Sequence, residues 1–386
     1  MPGASLEGMY TTLAVKGYRS LRDVVCRLGR VTVVTGGNGS GKSNLHKALR
    51  LLAACGQGRV ASSLALEGGL SSVLWAGPES LRGARRTGRV EGTVRSAPIS
   101  LQIGVGGQGL GYLIDLGIPQ QSAHTCFNRD PEIKREAVWL GPVLRPSALM
   151  ARRRRGTLEV RDGQWRPAGT LATHASLLGS RAVPELRDLA EELAAWRFYD
   201  ALRVDRDAPA RRPQVGTRTW SLADDGADLA AAWRTIEEHG GSPLQTLLDD
   251  ALPGSRVHVE EQGGVFRLLL EQPGMLRPLE TAELSDGTLR YLMLLAALHA
   301  PDAPPLLALN EPEGSLHEQL IEPLARLILD ASRRTQIVVV THSPQLAALL
   351  AADDEVEHLH LVKDLGETTI EGQGLLARPA WEWGSR

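Results

Sequence analysis

The sequence is poor in cysteine, in lysine and in long apolar runs, and each shortage excludes something. Cys26, Cys55 and Cys126 are its three cysteines. They are odd in number and scattered, with no paired or metal-type spacing, which argues against a disulfide framework and against zinc or redox chemistry. The longest uncharged apolar stretch, around Tyr291 to Leu298, is well short of the about 20 residues that cross a bilayer, so no membrane span is expected. The opening Met-Pro-Gly-Ala-Ser-Leu-Glu has neither the basic nor the apolar segment of a secretory signal, and a cytoplasmic protein is expected. No fixed-period repeat is visible, which disfavours a solenoid or propeller. Lys16, Lys42, Lys47, Lys134 and Lys363 are the five lysines, so 38 of the 43 positive residues are arginine. A lysine inside a motif therefore carries information.

What is present is an ordinary globular composition, 42% apolar and 23% charged over 386 residues, enough for two or three packed units. The net charge of −2 gives no bulk attraction for nucleic acid, so any such affinity must come from a local patch. Three stretches follow one another. In residues 1–175, β-type runs from about Tyr10 end in Val31-Thr-Val-Val-Thr35 and lead into a helical pattern with Leu45, Leu49 and Leu52. Alternating segments from about Val94 to Trp165 then predict an antiparallel β subdomain, with a hairpin turn at Asp162-Gly163. Residues 176–255 read as a helical subdomain: Leu186, Leu189, Ala190, Leu193 and Trp196 share one helical face, Leu229, Trp233 and Ile236 another, and Gly240-Gly241 with Ser242-Pro243 mark a stop and a new start. In residues 256–386 strands alternate with helices again, as in parallel β/α architecture closing the first domain.

Gly36-Gly-Asn-Gly-Ser-Gly-Lys-Ser43 fits GxxxxGK[ST] between a β-branched run and a helix, the context a phosphate loop requires. Glycines let backbone N–H groups converge on phosphate oxygens, and the helix N-terminus adds its positive dipole end. Lys42 is placed to reach the β- and γ-phosphates of ATP and Ser43 to hold Mg²⁺. Two continuous apolar runs, Pro305 to Leu309 and Ile337 to Val340, read as buried parallel strands; one ends in Asn310-Glu311 and the other in Thr341-His342-Ser343. Ligands of open α/β sheets sit outside the carboxyl ends of the strands, so these loops should converge with Gly36 to Ser43. Glu311 then suits the base that orients and deprotonates water, and His342 the γ-phosphate side. Ser285-Asp-Gly-Thr288 opens a further helix and is weak as a signal on its own. Ser315 and Glu318 are spaced as a capping box for the helix after Glu311.

With these residues assembled, the chain resembles an ABC-type ATPase of the SMC/RecF/OLD group, as a short head without a coiled coil. Val15 to Ser20 is similar to that group's first strand, Gly36 to Ser43 to its Walker A motif, Leu284 to Thr288 to its signature, Leu306 to Glu311, continued by Pro312-Glu313, to its Walker B motif, and Thr341 to Ser343 to its switch histidine loop. The resemblance implies a P-loop NTPase head of the α/β class with a mixed central sheet, an antiparallel β subdomain and a helical subdomain. It implies nucleotide contacts at Gly36, Asn38, Gly39, Ser40, Gly41, Lys42, Ser43 and Asn44, and, in a homodimer closed around two ATP molecules, at Ser285 and Gly287 of the opposite copy. Glu311, His342 and Lys42 take the catalytic roles, Ser43 and Asn310 the metal side. Asn310 departs from the group, which has an acidic residue before the glutamate; an amide accepts from a Mg²⁺-bound water but brings no charge, so slow turnover is expected. Gln102 and Gln214 are candidates for the glutamine loop. No room for the nuclease domain of OLD-type proteins is seen after about Thr368, so a nuclease or effector would be a separate partner.

Arg152-Arg-Arg-Arg155, with Arg145, Arg161 and Arg166 nearby and Arg82, Arg85, Arg86 and Arg89 earlier, concentrates positive charge. On one face these suit a DNA backbone, sequence-independently, in repair or defence; they equally suit a solvated surface. The sequence supports three readings: an ATP-gated homodimeric ATPase acting on DNA, an ATP sensor with little turnover, and a transporter's nucleotide-binding subunit. Against the last, the insert between Lys42 and Ser285 is longer than such subunits usually carry.

Overall fold

The computed structural model describes residues 8–87, 89, 100–120, 123, 125–154, 156–180, 182–200, 202–239, 244–374 and 376–384. Arg155, the Gly240-Gly241 stop, the Ser242-Pro243 start, the stretch from Val94 to Ile99 and the Arg82 side chain lie outside them. Two compact units divide the chain: one holds Arg30–Val33 and Arg197–Val356, the other Ser5–Gly29, Val34–Trp196 and Glu357–Arg386. The strand Val31–Gly36 begins in the first and ends in the second.

In the first unit Arg197–Tyr199, Leu306–Asn310 and Gln336–Val340 form a parallel sheet, with Leu306 opposite Gln336 and Asn310 opposite Val340. Val31–Val33 follows at the Gln336–Val340 side, where the Ile337 N–H donates to the Arg30 carbonyl (2.9 Å). Both runs are apolar throughout because both faces are covered. Helix Asp286–Leu298 is buried at every position from Leu289 to Leu298, so it is a core helix rather than an amphipathic one. Helices Leu229–Glu238 and Ile321–Ala331 pack with it into one core that includes Trp233, Leu292, Leu309, Leu324 and Val339. A small antiparallel sheet is built on the hairpin Arg256–Gln262 and Val265–Glu271, whose two-residue turn, Gly263-Gly264, needs positive φ at both positions (62° and 82°).

In the second unit eight strands form one antiparallel sheet in the order Leu21–Arg27, Tyr10–Tyr18, Ser100–Gly107, Leu110–Gly117, Glu132–Leu140, Leu149–Arg154, Thr157–Asp162, Gln164–Thr170. The predicted antiparallel subdomain thus also takes in the first two strands. The Asp162-Gly163 turn is present, Gly163 standing at φ 71° between paired Asp162 and Gln164. Helix Lys42–Gly56 packs on helix Pro184–Ala194, and Gly56 is required there, since a Cβ would lie 2.6 Å from the Ala190 carbonyl.

Beneath one face of this sheet lies a buried polar cluster. The Glu136 carboxylate, fully buried, accepts from Tyr112 Oη (2.7 Å), Ser176 Oγ (2.5 Å) and the Leu177 N–H (2.9 Å), with Arg153 at 3.8 Å. Burial pushes its carboxyl up from the ordinary range. The other face is covered by the chain's last segment: Trp381 sits edge-on to Trp139 and Trp383 at 5.6 Å each, over Gly104, where a Cβ would meet its ring at 2.6 Å.

One buried histidine gives the fold a pH dependence. Burial, with Arg334 alongside, pulls His299 down to about 4, because the charged imidazole loses its hydration. The unfolded chain takes up this proton near pH 6.5 and the folded chain only near 4, so stability is full above about 6.5 and falls as pH drops between the two values. The cost is about 3 kcal/mol by pH 4. Urea unfolding of His299→Gln beside the parent should show the difference between them shrinking by that amount from pH 7 to 4; a constant difference contradicts the assignment.

Candidate functional site: a phosphate loop and a glutamate turn

The phosphate loop belongs to the second unit. Its strand ends at Gly36, and Gly36, Gly39 and Gly41 stand at φ 141°, 75° and 112°, which side chains rarely tolerate. Space reinforces this: a Cβ would lie 2.2 Å from the Leu361 carbonyl at Gly36 and 2.2 Å from Thr368 Oγ1 at Gly41. Helix Lys42–Gly56 starts at Gly41 with no side-chain cap and no acidic residue in its first turn. An uncapped, unneutralised N-terminus of this kind is suited to an anion. Lys42, 4% exposed, lays its ammonium across the loop and donates to the Gly36 (2.6 Å) and Gly37 (3.0 Å) carbonyls. Ser40 Oγ is buried with no hydrogen-bond partner, a desolvated hydroxyl that a phosphate oxygen would satisfy. Gly37, Asn38, Gly39 and Ser43 are exposed.

A relay of hydroxyls fixes the loop from behind. Asn44 Nδ2 donates to Ser20 Oγ (2.8 Å), Ser20 Oγ to Thr368 Oγ1 (2.7 Å), and Thr368 Oγ1 to the Ser40 carbonyl (2.6 Å). The Asn44 amide is therefore committed to the loop's support. Next to Thr368, Glu367 is held by Arg22 (2.8 Å) and Arg85 (3.2 Å). Ser20 closes the Val15–Ser20 segment but nothing there marked it as a support of the loop, and no motif announced Thr368, since neither type is unusual and they are far apart in sequence.

The glutamate turn belongs to the first unit. Glu311 follows the strand Leu306–Asn310 at φ 49°, with its N–H donating to the Val340 carbonyl (2.7 Å). Its carboxylate lies 3.0 Å from His342 Nε2, so the two predicted catalytic side chains of this unit are brought together. Glu313 Oε1 accepts from Thr341 Oγ1 (2.6 Å) and from the N–H groups of His342 (2.9 Å) and Ser343 (3.1 Å), locking the histidine loop to the turn. Three donors on one carboxylate oxygen make a strong anchor. Asn310, the last residue of its strand, is half-buried beside the turn.

Ser285 is the N-cap of helix Asp286–Leu298: its Oγ accepts from the Thr288 N–H (3.2 Å), and Ser285 itself is exposed. One buried arginine sets this turn and a second reaches from its helix to the glutamate turn. Arg211 donates to the Leu284 (2.8 Å) and Thr281 (3.0 Å) carbonyls and to Asp286 Oδ1 (2.6 Å); Arg290 donates to the Glu311 carbonyl (2.7 Å). Neither was singled out in the sequence, where single arginines are too common to stand out.

Several expectations need correction. Arg153 is not part of an exposed patch: it is 3% exposed and donates to the Ala172 (2.7 Å) and Ala175 (2.5 Å) carbonyls. Strand alternation turns it inward while Arg152 and Arg154 face outward. Arg152 pairs with Glu159 (2.7 Å) and stacks 4.1 Å above the Trp165 ring. Ser315 and Glu318 do not form a capping box, because Ser315 stands at φ 64° and His317 caps the turn, accepting from the Gln319 N–H (3.3 Å). Gln102 is buried in the eight-stranded sheet on Asp115 (2.9 Å), and Gln214 donates to the Pro209 carbonyl (2.9 Å).

Residues 172–348 match the family model described as "AAA domain, putative AbiEii toxin, Type IV TA system". Among solved structures, the SMC head domain from Thermotoga maritima matches at TM-score 0.51 and 14% identity, covering 95% of this chain and 99% of that one. An SmcHead bound to the C-winged helix domain of ScpA matches at 0.49 and 15%, covering 95% and 98%. A Pyrococcus furiosus Smc head with an extended coiled coil matches at 0.46 and 13%, covering 94% and 95%. No curated protein matches. The chain has the P-loop NTPase fold of an SMC head domain. Among the described residues no helix is long and apolar enough to cross a membrane.

Proposed function

We propose that the chain binds Mg-ATP on the loop Gly36 to Ser43 and hydrolyses it with Glu311. The observation that carries this reading is the phosphate loop itself: three left-handed glycines, two with no room for a Cβ, an uncapped helix start, a buried unpartnered Ser40 hydroxyl and the Lys42 ammonium at the same turn. Such a cradle offers backbone donors and one cation to a triphosphate. Lys42 exchanges its two carbonyl partners for β- and γ-phosphate oxygens. The donor set also fits Mg²⁺, which keeps most of its waters and takes few protein oxygens: the exposed Ser43 hydroxyl would hold it directly and Asn310 through water. When bound, the ion neutralises charge building on the transferred phosphoryl group.

Glu311 accepts the proton of the attacking water, and His342 orients the carboxylate from its far side while reaching towards the γ-phosphate. Because Asn310 is neutral, the metal side is less negative than in the resembled group, and turnover is slow. Ser285 and Gly287, at an exposed helix start with no phosphate loop following in the same unit, serve a second copy's nucleotide, so ATP is both substrate and dimer glue. Asn310 also favours a second reading, an ATP sensor that binds tightly and hardly turns over. DNA is the partner we propose for the outward-facing Arg152 and Arg154.

Three outcomes are expected. Lys42→Ala weakens Mg-ATP binding at least about tenfold by calorimetry, and an unchanged affinity contradicts the site. Asn310→Asp raises phosphate release several-fold at unchanged ATP affinity; release at background in both proteins selects the sensor. In filter binding, replacing Arg152 and Arg154 together by alanine lowers DNA affinity and flattens its salt dependence by about two contacts, whereas an unaltered salt slope removes DNA from the account.

A further inference from the structure

The segment from Glu311 to Ser315 is bent twice against the preference of its residues, with Glu311 at φ 49° and Ser315 at φ 64°. Left-handed backbone at a non-glycine residue costs about 1 kcal/mol or more, and it persists only where neighbours over-determine it. On one flank the neighbour is the histidine loop, through Glu313. On the other it is the first two turns of helix Asp286–Leu298.

Arg290, 9% exposed, places every guanidinium nitrogen on a backbone carbonyl: Nη2 on Glu311 (2.7 Å), Nε on Pro312 (3.2 Å) and Nη1 on Leu202 (3.1 Å). One turn earlier, a Cβ on Gly287 would lie 2.8 Å from the Ser315 carbonyl, and a Cβ on Gly314 would lie 3.2 Å from the Glu311 carbonyl and 3.5 Å from Arg290 Nη2. The helix start and the glutamate turn therefore touch with no slack and share one cation. A rigid fork that bonds two consecutive carbonyls, Glu311 and Pro312, fixes the orientation of the peptide between them, which a flexible lysine could not do.

We propose that Arg290 is a positioning residue that makes the Ser285–Gly287 turn and the Glu311 turn move as one body, so that a second copy's nucleotide at the signature sets Glu311 and His342 for hydrolysis on this copy's own loop. This rests on the ATPase reading above and adds a coupling between two nucleotide sites. Arg290 touches no reacting atom. Its effect is on where the Glu311 carboxylate points.

The test compares the full-length protein with Arg290→Met and Arg290→Lys. Hydrogen exchange of the nucleotide-free proteins reads the tie alone: in Arg290→Met the Gly314 and Leu316 amides, which bond to the Glu311 and Glu313 carbonyls, should exchange at least about tenfold faster, with amides in the second half of the helix unchanged. Turnover reads the consequence: kcat should fall about ten- to a hundredfold with KM and the calorimetric Mg-ATP affinity within about threefold, and Arg290→Lys, able to reach one carbonyl, should recover part of the loss. Unchanged loop exchange overturns the tie whatever the turnover. Faster loop exchange with kcat intact, or a kcat loss matched by an equal loss of nucleotide affinity, overturns the coupling. Should the parent itself release no phosphate while the loop exchange still responds, the tie stands and the ATPase reading is what fails.

Discussion

The backbone turn at Glu311 is the constraint on which the proposed chemistry of this molecule depends. A glutamate leaving a buried parallel strand would ordinarily continue in extended geometry; here it turns left-handed at φ 49°, its N–H on Val340 and its carbonyl on Arg290. That bend lifts the carboxylate out of the sheet to meet His342 at 3.0 Å. The bend is unfavourable alone and is held by hydrogen bonds from two sides, one set running through Arg290 and the other through Glu313. Removing either leaves a strained turn with less to oppose its relaxation.

The phosphate loop is held in a different way. It uses glycines, so its left-handed positions cost little, and its rigidity comes from what stands behind it: the Leu361 carbonyl against Gly36 and the Thr368 side chain against Gly41. The Asn44–Ser20–Thr368 relay ends on the Ser40 carbonyl and ties the loop to the strand after Leu365. A strained turn holding a carboxylate suits a proton acceptor, and a relaxed glycine cradle suits a phosphate binder. The strand Val31–Gly36 begins in one unit and ends in the other.

Much of this was legible in the sequence, and the exceptions have physical causes. The glycine-lysine loop, the two apolar strands and the Asp162-Gly163 hairpin are written in consecutive residues, because the forces that shape them are local: φ preferences, a helix start, burial on both faces. Ser20, Thr368, Arg211 and Arg290 act through partners tens to hundreds of residues away, and in a chain with 38 arginines a buried one has no local mark. Arg153 shows the same limit from the other side. A run of four like charges hides the two-residue period of a strand, so nothing local says that the second of them turns inward to Glu136. At Ser315 the capping-box spacing was present, yet the pull of Arg290 on the preceding carbonyls and the contact with Gly287 dictate a left-handed turn, and His317 takes over the cap.

The central claim is that the loop carrying Lys42 and the turn carrying Glu311 serve one nucleotide. An experimental structure of Glu311→Gln with Mg-ATP tests it most directly, since the variant keeps the shape of the side chain and removes its basicity. The account predicts Lys42 Nζ on the β- and γ-phosphates, the substituted amide side chain at position 311 within one water of the γ-phosphorus, and Ser285 of a second copy on the same γ-phosphate. A triphosphate bound with that side chain more than about 10 Å from the γ-phosphorus, beyond the reach of a single bridging water, would contradict it.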